Sequence, residues 1–188
     1  MARPKSDDKR NAILAATTDL VAELGLGAAT AEIAKRAGVP NGSVFTYFET
    51  KTELLNVLYL ELTKELTDAV VAAIPPGDDT RSQFHRLWLS WTQWGVSNPS
   101  KRRVQAQLNV SDQVTELNRT AAYDYAKSVF DLIQQAAASG VLRDAPVQYV
   151  GELVSAWAAT TMDFMIGNPA KADAFCTFGF EAAWRALN

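Results

Sequence analysis

The stretch from Ala29 to Lys51, ATAEIAKRAGVPNGSVFTYFETK, constrains the fold of this chain more than any other part. Its apolar residues recur at helical spacing on both sides of Ala37-Gly38-Val39, which predicts two short helices joined by a tight turn. Gly38 supplies the left-handed backbone that a sharp reversal between helices needs, and Val39 can fill the angle between them. These features predict a helix-turn-helix unit.

The second helix of this unit is predicted to open at Pro40-Asn41-Gly42-Ser43. Proline suits the first helical position, and the small polar residues after it leave backbone amides accessible to an anion. A helix end of this kind can approach DNA closely.

An ordered set of residues between Arg10 and Leu55 resembles the TetR-type (tetracycline-repressor-like) transcriptional regulators. The residues that carry the resemblance are Thr30, Ile33-Ala34, Ala37-Gly38-Val39, Gly42-Ser43-Val44-Phe45, Tyr47-Phe48, Lys51 and Leu54-Leu55. The resemblance implies an all-α fold of about nine helices. An N-terminal three-helix helix-turn-helix DNA-binding domain (residues 1–51) would be followed by a C-terminal helical ligand-binding and dimerisation domain (residues 52–188).

The same resemblance implies a ligand-responsive regulator, most often a repressor. It would bind a palindromic double-stranded DNA operator as a homodimer and be released by a small-molecule effector. Two recognition helices related by a two-fold axis reach successive major grooves, about 34 Å apart, which is why a palindrome is expected. The alternative is a helical small-molecule binding protein whose DNA-binding domain is degenerate.

Seven DNA-binding residues follow from the resemblance. They are Thr30, Asn41, Gly42, Ser43, Thr46, Tyr47 and Lys51. Asn41 can pair with adenine, and Thr46 offers a methyl group to thymine, whereas Lys51 would hold a phosphate without reading sequence. Three positions depart from the family's usual residues: Pro40 replaces a serine-like cap, Phe45 a tyrosine, and Asn41 a lysine or arginine. A packing role for Tyr47 and a plain turn role for Asn41 stay open.

Net charge does not mark a DNA-binding surface. The chain has 18 Lys and Arg against 21 Asp and Glu, and residues 1–55 hold seven of each. DNA binding must therefore depend on where the basic residues lie, and we expect modest affinity for non-specific DNA. Residues 1–6 form a short basic arm that would either touch DNA or fray as a terminus.

Several protein classes are disfavoured by composition. The single cysteine, Cys176, cannot form an internal disulfide, and no apolar run approaches the roughly 20 residues of a spanning helix, so a cytoplasmic protein without membrane contact is expected. The only histidine, His85, has no second His or Cys nearby to complete a metal site. We expect no catalytic residues, no metal, no cofactor and no enzyme activity.

Aromatic residues predict an effector site after the helix break at Pro75-Pro76-Gly77. The candidate ligand-binding residues are Phe84, Trp88, Trp91, Gln105, Tyr123, Trp157 and Asp163, with Gln107, Asn109 and Asn118 as further polar groups. An ordinary aromatic core is the alternative. Tryptophan with Asp163 would suit a cationic lipophilic effector, whereas His85 and Arg86 would suit an anionic or phenolic one. The sequence leaves both open.

The last two predicted helices are apolar nearly all the way round, which exceeds what one face can bury in a domain of this size. We therefore predict a two-fold dimer interface built as a four-helix bundle, with an ordinary core as the alternative. The candidate interface residues are Leu153, Trp157, Phe164, Phe175, Phe178 and Trp184. The patterns also predict one long helix from about Thr115 to Ser139, and no strands.

Overall fold

The computed structural model describes residues 7–75 and 77–188, and the predicted arm at residues 1–6 lies outside this part of the chain. Ten α-helices and no strand occur in the described ranges, which confirms the all-α prediction. The helices are α1 (Asp7–Leu24), α2 (Thr30–Arg36), α3 (Asn41–Tyr47), α4 (Lys51–Ala72), α5 (Thr80–Ser97), α6 (Pro99–Asn109), α7 (Glu116–Tyr125), α8 (Lys127–Ala136), α9 (Val147–Gly167) and α10 (Ala172–Leu187). None of the helices in the described ranges is long and apolar enough to cross a membrane.

The single long helix expected over residues 115–139 is wrong, because α7 and α8 are separate. The backbone of Ala126, between them, leaves the helical range with ψ near 7°. Alanine is the best helix former, so nothing in the local sequence signals this break. The residues on its two sides join different cores, since Ala122 packs in one apolar cluster and Ile133 in another. Packing therefore interrupts a segment that propensity alone would continue.

The described helices fall into two compact units, each made of two chain segments. Residues 7–63 with Pro99–Ala122 form the first unit, and Lys64–Asn98 with Tyr123–Asn188 form the second. In the first unit α6 packs along α1, although the two helices are far apart in sequence. The resemblance implies a boundary between residues 51 and 52 that divides a DNA-binding domain from a ligand-binding and dimerisation domain, and this boundary stays a prediction.

The core of the first unit is aliphatic and joins the DNA-binding helices to α4 and α6. Its fully buried members come from five helices: Ile13, Val21, Ile33, Val44, Leu54, Leu55, Val104 and Leu108. Burying a side chain of this size contributes roughly 1.5–3 kcal/mol, so the two short helices α2 and α3 are held mainly by this shared core.

The second unit buries an aromatic and aliphatic core between α5, α8, α9 and α10. Trp88 is its largest fully buried side chain, and the indole nitrogen donates a hydrogen bond to the carbonyl oxygen of Cys176 at 3.1 Å. Gly179 permits this packing, because a Cβ there would come within 2.7 Å of the Trp88 ring. A side chain at position 179 would force α10 away from α5 and α9.

Candidate nucleic-acid interface

The turn between α2 and α3 has the geometry that the sequence predicts. Gly38 has a φ of 66°, in the left-handed region, and the amide of Val39 donates to the carbonyl oxygen of Ala34 at 3.0 Å. Val39 is half-buried and packs against the core of the first unit. α2 and α3 therefore form the predicted helix-turn-helix.

Helix α3 has one buried face and one exposed face. Val44 is 1% exposed, and Phe48 directly after the helix is 2% exposed, so these two residues anchor it. Asn41, Gly42 and Thr46 are exposed, and the hydroxyl of Thr46 reaches back to the carbonyl oxygen of Gly42 at 3.4 Å. The exposed face thus presents a short polar surface on a rigidly anchored helix.

The start of α3 differs by one residue from the prediction. Pro40 is the cap and not the first helical residue, since its ψ of 144° is extended. No side chain caps the helix, and the amide of Ser43 is used by the carbonyl oxygen of Pro40 at 2.8 Å. The amides of Asn41 and Gly42 come before the amide of Ser43 in the chain, in the first turn of α3, where backbone amides have no acceptor within the helix.

The other predicted DNA-binding residues are partly buried. Thr30 begins α2 and Lys51 begins α4, and Ser43 lies near the start of α3. Tyr47 packs against the core of the first unit, which fits the packing role left open for it. All seven predicted residues lie in the first unit, on α2, α3 and the first turn of α4.

A reciprocal cap fixes the first turn of α4. The hydroxyl of Thr50 accepts a hydrogen bond from the amide of Glu53 at 3.0 Å, and the Glu53 carboxylate accepts one from the amide of Glu49 at 2.5 Å. This is close to the capping box that threonine and glutamate three residues apart favour, except that Glu53 bonds to the amide of Glu49 and not to that of Thr50. The cap holds Lys51 in a defined place directly after α3.

Ion pairs within the first unit leave few basic side chains for DNA. Arg36 forms a two-point pair with Glu23 at 3.0 and 2.9 Å, and Arg10 pairs with Glu61 at 2.9 Å. The hydrogen bonds from Arg36 hold the pKa of Glu23 below its ordinary value. Among the described residues of this unit, Lys51 has no ion pair, and neither have Lys9 and Lys35, which leaves these charges for phosphates.

Sequence reasoning missed the polar contacts that tie α6 to α1. Arg103 and Gln107 donate to the carbonyl oxygens of Ala22 and Val21 at 3.3 and 3.4 Å. These carbonyls lie in the last turn of α1, and that of Val21 also accepts from the amide of Gly25 at 2.9 Å, so the two side chains attach α6 to the end of α1. Gln107 was expected to face an effector, and it faces α1 instead. No sequence signal identifies such a pairing, because the partners are more than 80 residues apart.

The predicted effector residues are dispersed. Phe84 and Trp88 are fully buried in the core of the second unit, Trp91 and Trp157 are half-buried against it, and Asp163 is exposed. Tyr123 packs on Phe130 with ring centroids 4.8 Å apart. Gln105 lies in the first unit, on α6. These assignments stay predictions.

A cleft of about 670 Å³ opens in the second unit beside α5 and α10. Its lining combines polar and apolar side chains and contains none of the seven predicted effector residues: Ala73, His85, Arg86, Leu89, Ser90, Thr92, Gln93, Met165, Asp173, Cys176 and Thr177. Arg86 pairs there with Asp78 at 3.3 Å, and the His85 ring lies 4.4 Å from that of Phe180. The volume is in the range of small-molecule sites.

Large apolar side chains are exposed on α9 and α10. Phe164 and Phe178 are 52% and 68% exposed, and Phe164 packs on the half-buried Phe175 with centroids 5.3 Å apart. Leu153, Trp157 and Trp184 are half-buried. Exposed aromatics grouped on two helices are typical of an association surface.

Comparisons with known proteins agree with this architecture. The family described as bacterial regulatory proteins, tetR family, matches residues 13–58, which span the helix-turn-helix and its flanking helices. The HTH-type transcriptional regulator BetI of Escherichia coli (strain UTI89) is 29% identical over 172 residues, which cover 75% of this chain and 88% of BetI.

Solved structures extend the likeness to the whole chain. A TetR-family transcription regulator from Shewanella sp. PV-4 is 27% identical with a TM-score of 0.84, covering 95% of this chain and 97% of that one. The TetR-like regulator LfrR from Mycobacterium smegmatis, in complex with proflavine, shares the fold at 17% identity and a TM-score of 0.64, covering 96% of this chain and 95% of its own. The exposed face of α3 and the family match lie on the same residues, and over most of its length the chain is similar to the TetR-type transcriptional regulators.

Proposed function

We propose that this chain acts as a homodimer that binds a palindromic operator through α3, represses transcription there and is released by a small-molecule effector. The observation that carries the proposal is the coincidence of the family match over residues 13–58 with an α3 that is anchored by Val44 and Phe48 and exposes Asn41, Gly42 and Thr46. A regulator of bacterial genes of this kind works in the cytoplasm.

The proposed contacts divide into two kinds. Asn41 and Thr46 read base edges in the major groove, and Gly42 allows the helix backbone to come close to the duplex. Lys51 and Thr30 bind phosphates and set the affinity without reading sequence. The departures at Pro40 and Phe45 remove two polar groups from the phosphate contacts, so we infer a larger share of the affinity from Lys51 than in the resembled family.

The effector step follows from linkage. A ligand that binds one state of the dimer preferentially shifts α4 and changes the spacing of the two recognition helices, so that the operator is released. α4 is one continuous helix over 22 residues, which suits a rigid link between the capped turn at Lys51 and its far end at Ala72. LfrR, whose fold this chain shares, holds proflavine, and this supports a small aromatic effector here.

The first experiment selects bound duplexes from a random DNA pool and titrates the enriched sequence at several salt concentrations. Enrichment of a two-fold palindrome is expected, with a steep loss of affinity as salt rises because phosphate contacts release counterions. Recovery of no motif would move the function to the small-molecule binding protein with a degenerate DNA-binding domain.

Two substitutions distinguish the recognition of bases from the binding of phosphates. Lys51→Ala is expected to weaken binding to all duplexes alike and to lower the salt slope by about 1. Thr46→Ala is expected to relax the preference at one base pair, at a cost of roughly 1–3 kcal/mol on the preferred sequence. Lys64→Ala, an exposed lysine in the second unit, is the matched control. An unchanged salt slope for Lys51→Ala would contradict the phosphate assignment.

A further inference from the structure

A buried asparagine of the first unit makes polar contacts that the proposed DNA contacts do not use. Asn56, on α4, is 5% exposed. Its amide nitrogen donates to the carbonyl oxygens of Thr52 and Gln113, both at 2.7 Å. Its amide oxygen accepts from the backbone amide of Thr115 at 2.9 Å and from the side-chain amide of Asn118 at 2.8 Å. An asparagine side chain can donate twice and accept twice, so its hydrogen-bonding capacity is complete.

Three of the four partners of Asn56, namely Gln113, Thr115 and Asn118, lie in the α6–α7 connection, residues 110–115, or in the first turn of α7. The end of this segment is held a second time, because Asn118 also donates to the Thr115 hydroxyl at 2.8 Å. The guanidinium of Arg119 donates to the carbonyl oxygens of Asn109 and Ser111, both at 2.7 Å. Asn118 was expected to face an effector, and the structure uses it here instead. The connection is therefore fixed at both ends, and Asn56 links it to α4.

Packing alone does not require this arrangement. Leucine is similar in size to asparagine and would fill the same space without a desolvation cost, whereas a buried amide costs free energy unless all its bonds are made. Hydrogen bonds of 2.7–2.9 Å are directional, so four of them fix α4 against the connection more sharply than apolar contacts would.

The place of Asn56 on α4 connects the network to DNA binding. Its partner Thr52 follows Lys51 directly, in the turn that the Thr50 and Glu53 cap fixes after α3. We propose that Asn56 is a positioning residue of DNA binding, which makes the α6–α7 connection and the start of α4 move as one body. A conformational change in the connection then alters the positions of Lys51 and α3, and operator binding in turn alters the conformational freedom of the connection. This inference rests on the proposed DNA-binding function.

Hydrogen exchange with and without the selected operator duplex tests the coupling. Linkage is reciprocal, so the peptide covering residues 109–118 should exchange more slowly when the duplex is bound, although none of its residues is a proposed DNA contact. The α3 peptide, residues 41–48, should also slow and reports DNA binding itself. If α3 is not protected by any duplex, the proposed function fails. If α3 is protected and residues 109–118 are unchanged, the coupling fails and the function stands.

Two variants assign the coupling to Asn56. Asn56→Asp keeps the shape and both accepted bonds but loses the donations to Thr52 and Gln113. Asn118→Ala, at a half-buried position, removes two side-chain bonds, one to Asn56 and one to the Thr115 hydroxyl, and serves if Asn56→Asp does not fold. Thr63→Ala is the control on the same helix, because its hydroxyl bonds only to the carbonyl oxygen of Tyr59 in the preceding turn.

In either variant the α3 peptide should still be protected by the operator, while the protection of residues 109–118 is lost. Operator affinity should fall about three- to tenfold, the effect of one or two net hydrogen bonds, and stay unchanged in Thr63→Ala. Protection of residues 109–118 that persists in both variants would mean that the signal comes from direct DNA contact or another path, and would overturn the role of Asn56.

Discussion

At the scale of single residues, the exposed face of α3 that we propose to contact DNA consists of small and polar side chains. Asn41, Gly42 and Thr46 are small or polar, and none of them contributes to the buried core. Substitutions there should therefore separate DNA binding from folding stability, which substitutions at Val44 or Phe48 cannot do because those side chains anchor the helix.

Gly42→Ala is a sharp test of close backbone approach. A Cβ at Gly42 meets no atom within 4 Å, and alanine in a helix is favoured over glycine by about 1 kcal/mol, so the melting temperature should stay the same or rise. If the helix backbone approaches the duplex at this position, operator affinity should fall by roughly tenfold, or ~1.4 kcal/mol. Fluorescence anisotropy titration and thermal unfolding measure the two effects.

Gly27→Ala is the matched control, since a Cβ at Gly27 also meets no atom within 4 Å and the residue precedes α2. Equal operator affinity of Gly42→Ala and the wild type would refute the close approach.

Acid sensitivity is expected at Asp79. Its side chain caps α5, and hydrogen bonds from the hydroxyl and backbone amide of Ser82 hold the pKa of Asp79 below the ordinary value of 3.8. Because the folded pKa is depressed, this stabilisation is complete above about pH 3.8 and is lost as the pH falls through the folded pKa. The stability of Asp79→Asn relative to wild type should therefore improve with falling pH in this window, as urea unfolding would measure. A constant difference across the window would rule out the linkage.

At the scale of elements, local signals placed the helix-turn-helix correctly, except that α3 begins one residue later than predicted. Gly38 fixes the turn, and the spacing of Thr50 and Glu53 fixes the start of α4. The same local reasoning failed between α7 and α8, where Ala126 gives no sign of a break. Glycines, prolines and caps determine backbone conformation locally, whereas an alanine follows whichever cores its neighbours join.

Thr50→Ala tests the cap of α4. Loss of the hydroxyl leaves the amide of Glu53 without its partner and should cost about 1 kcal/mol of unfolding free energy. Thr52→Ala, an exposed neighbour in the same turn, should cost much less. Urea denaturation of both variants measures the difference, and equal losses would contradict a specific cap.

At the scale of the whole molecule, the exposed aromatic side chains of α9 and α10 are the candidates for the interface of the proposed dimer. Phe178 is 68% exposed and lies outside the buried core of the second unit. It therefore contributes little to the folding of the single chain, and its burial would have to come from a second copy.

Phe178→Glu is expected to yield a folded monomer. A carboxylate buried in the proposed interface would lose its hydration without gaining a partner charge, which opposes association. Sedimentation velocity over a range of concentrations should show the loss of the dimer, and operator affinity should fall with it because one half-site remains per particle. Val141→Glu, which changes a side chain that is 91% exposed, is the control. A Phe178→Glu variant that stays dimeric would exclude this face as the interface.

The sequence by itself determined the features that depend on neighbours along the chain: the all-α class, the turn at Gly38 and the polar face of α3. Tertiary structure decided which distant groups meet. It paired Asn56 with Gln113, Thr115 and Asn118, set Gln107 on the end of α1 rather than toward an effector, and buried Trp88 against Cys176. The physical reason is that backbone conformation follows from local sterics and hydrogen bonds, whereas the partner of a side chain depends on the path of the entire chain and on which cores compete to bury it.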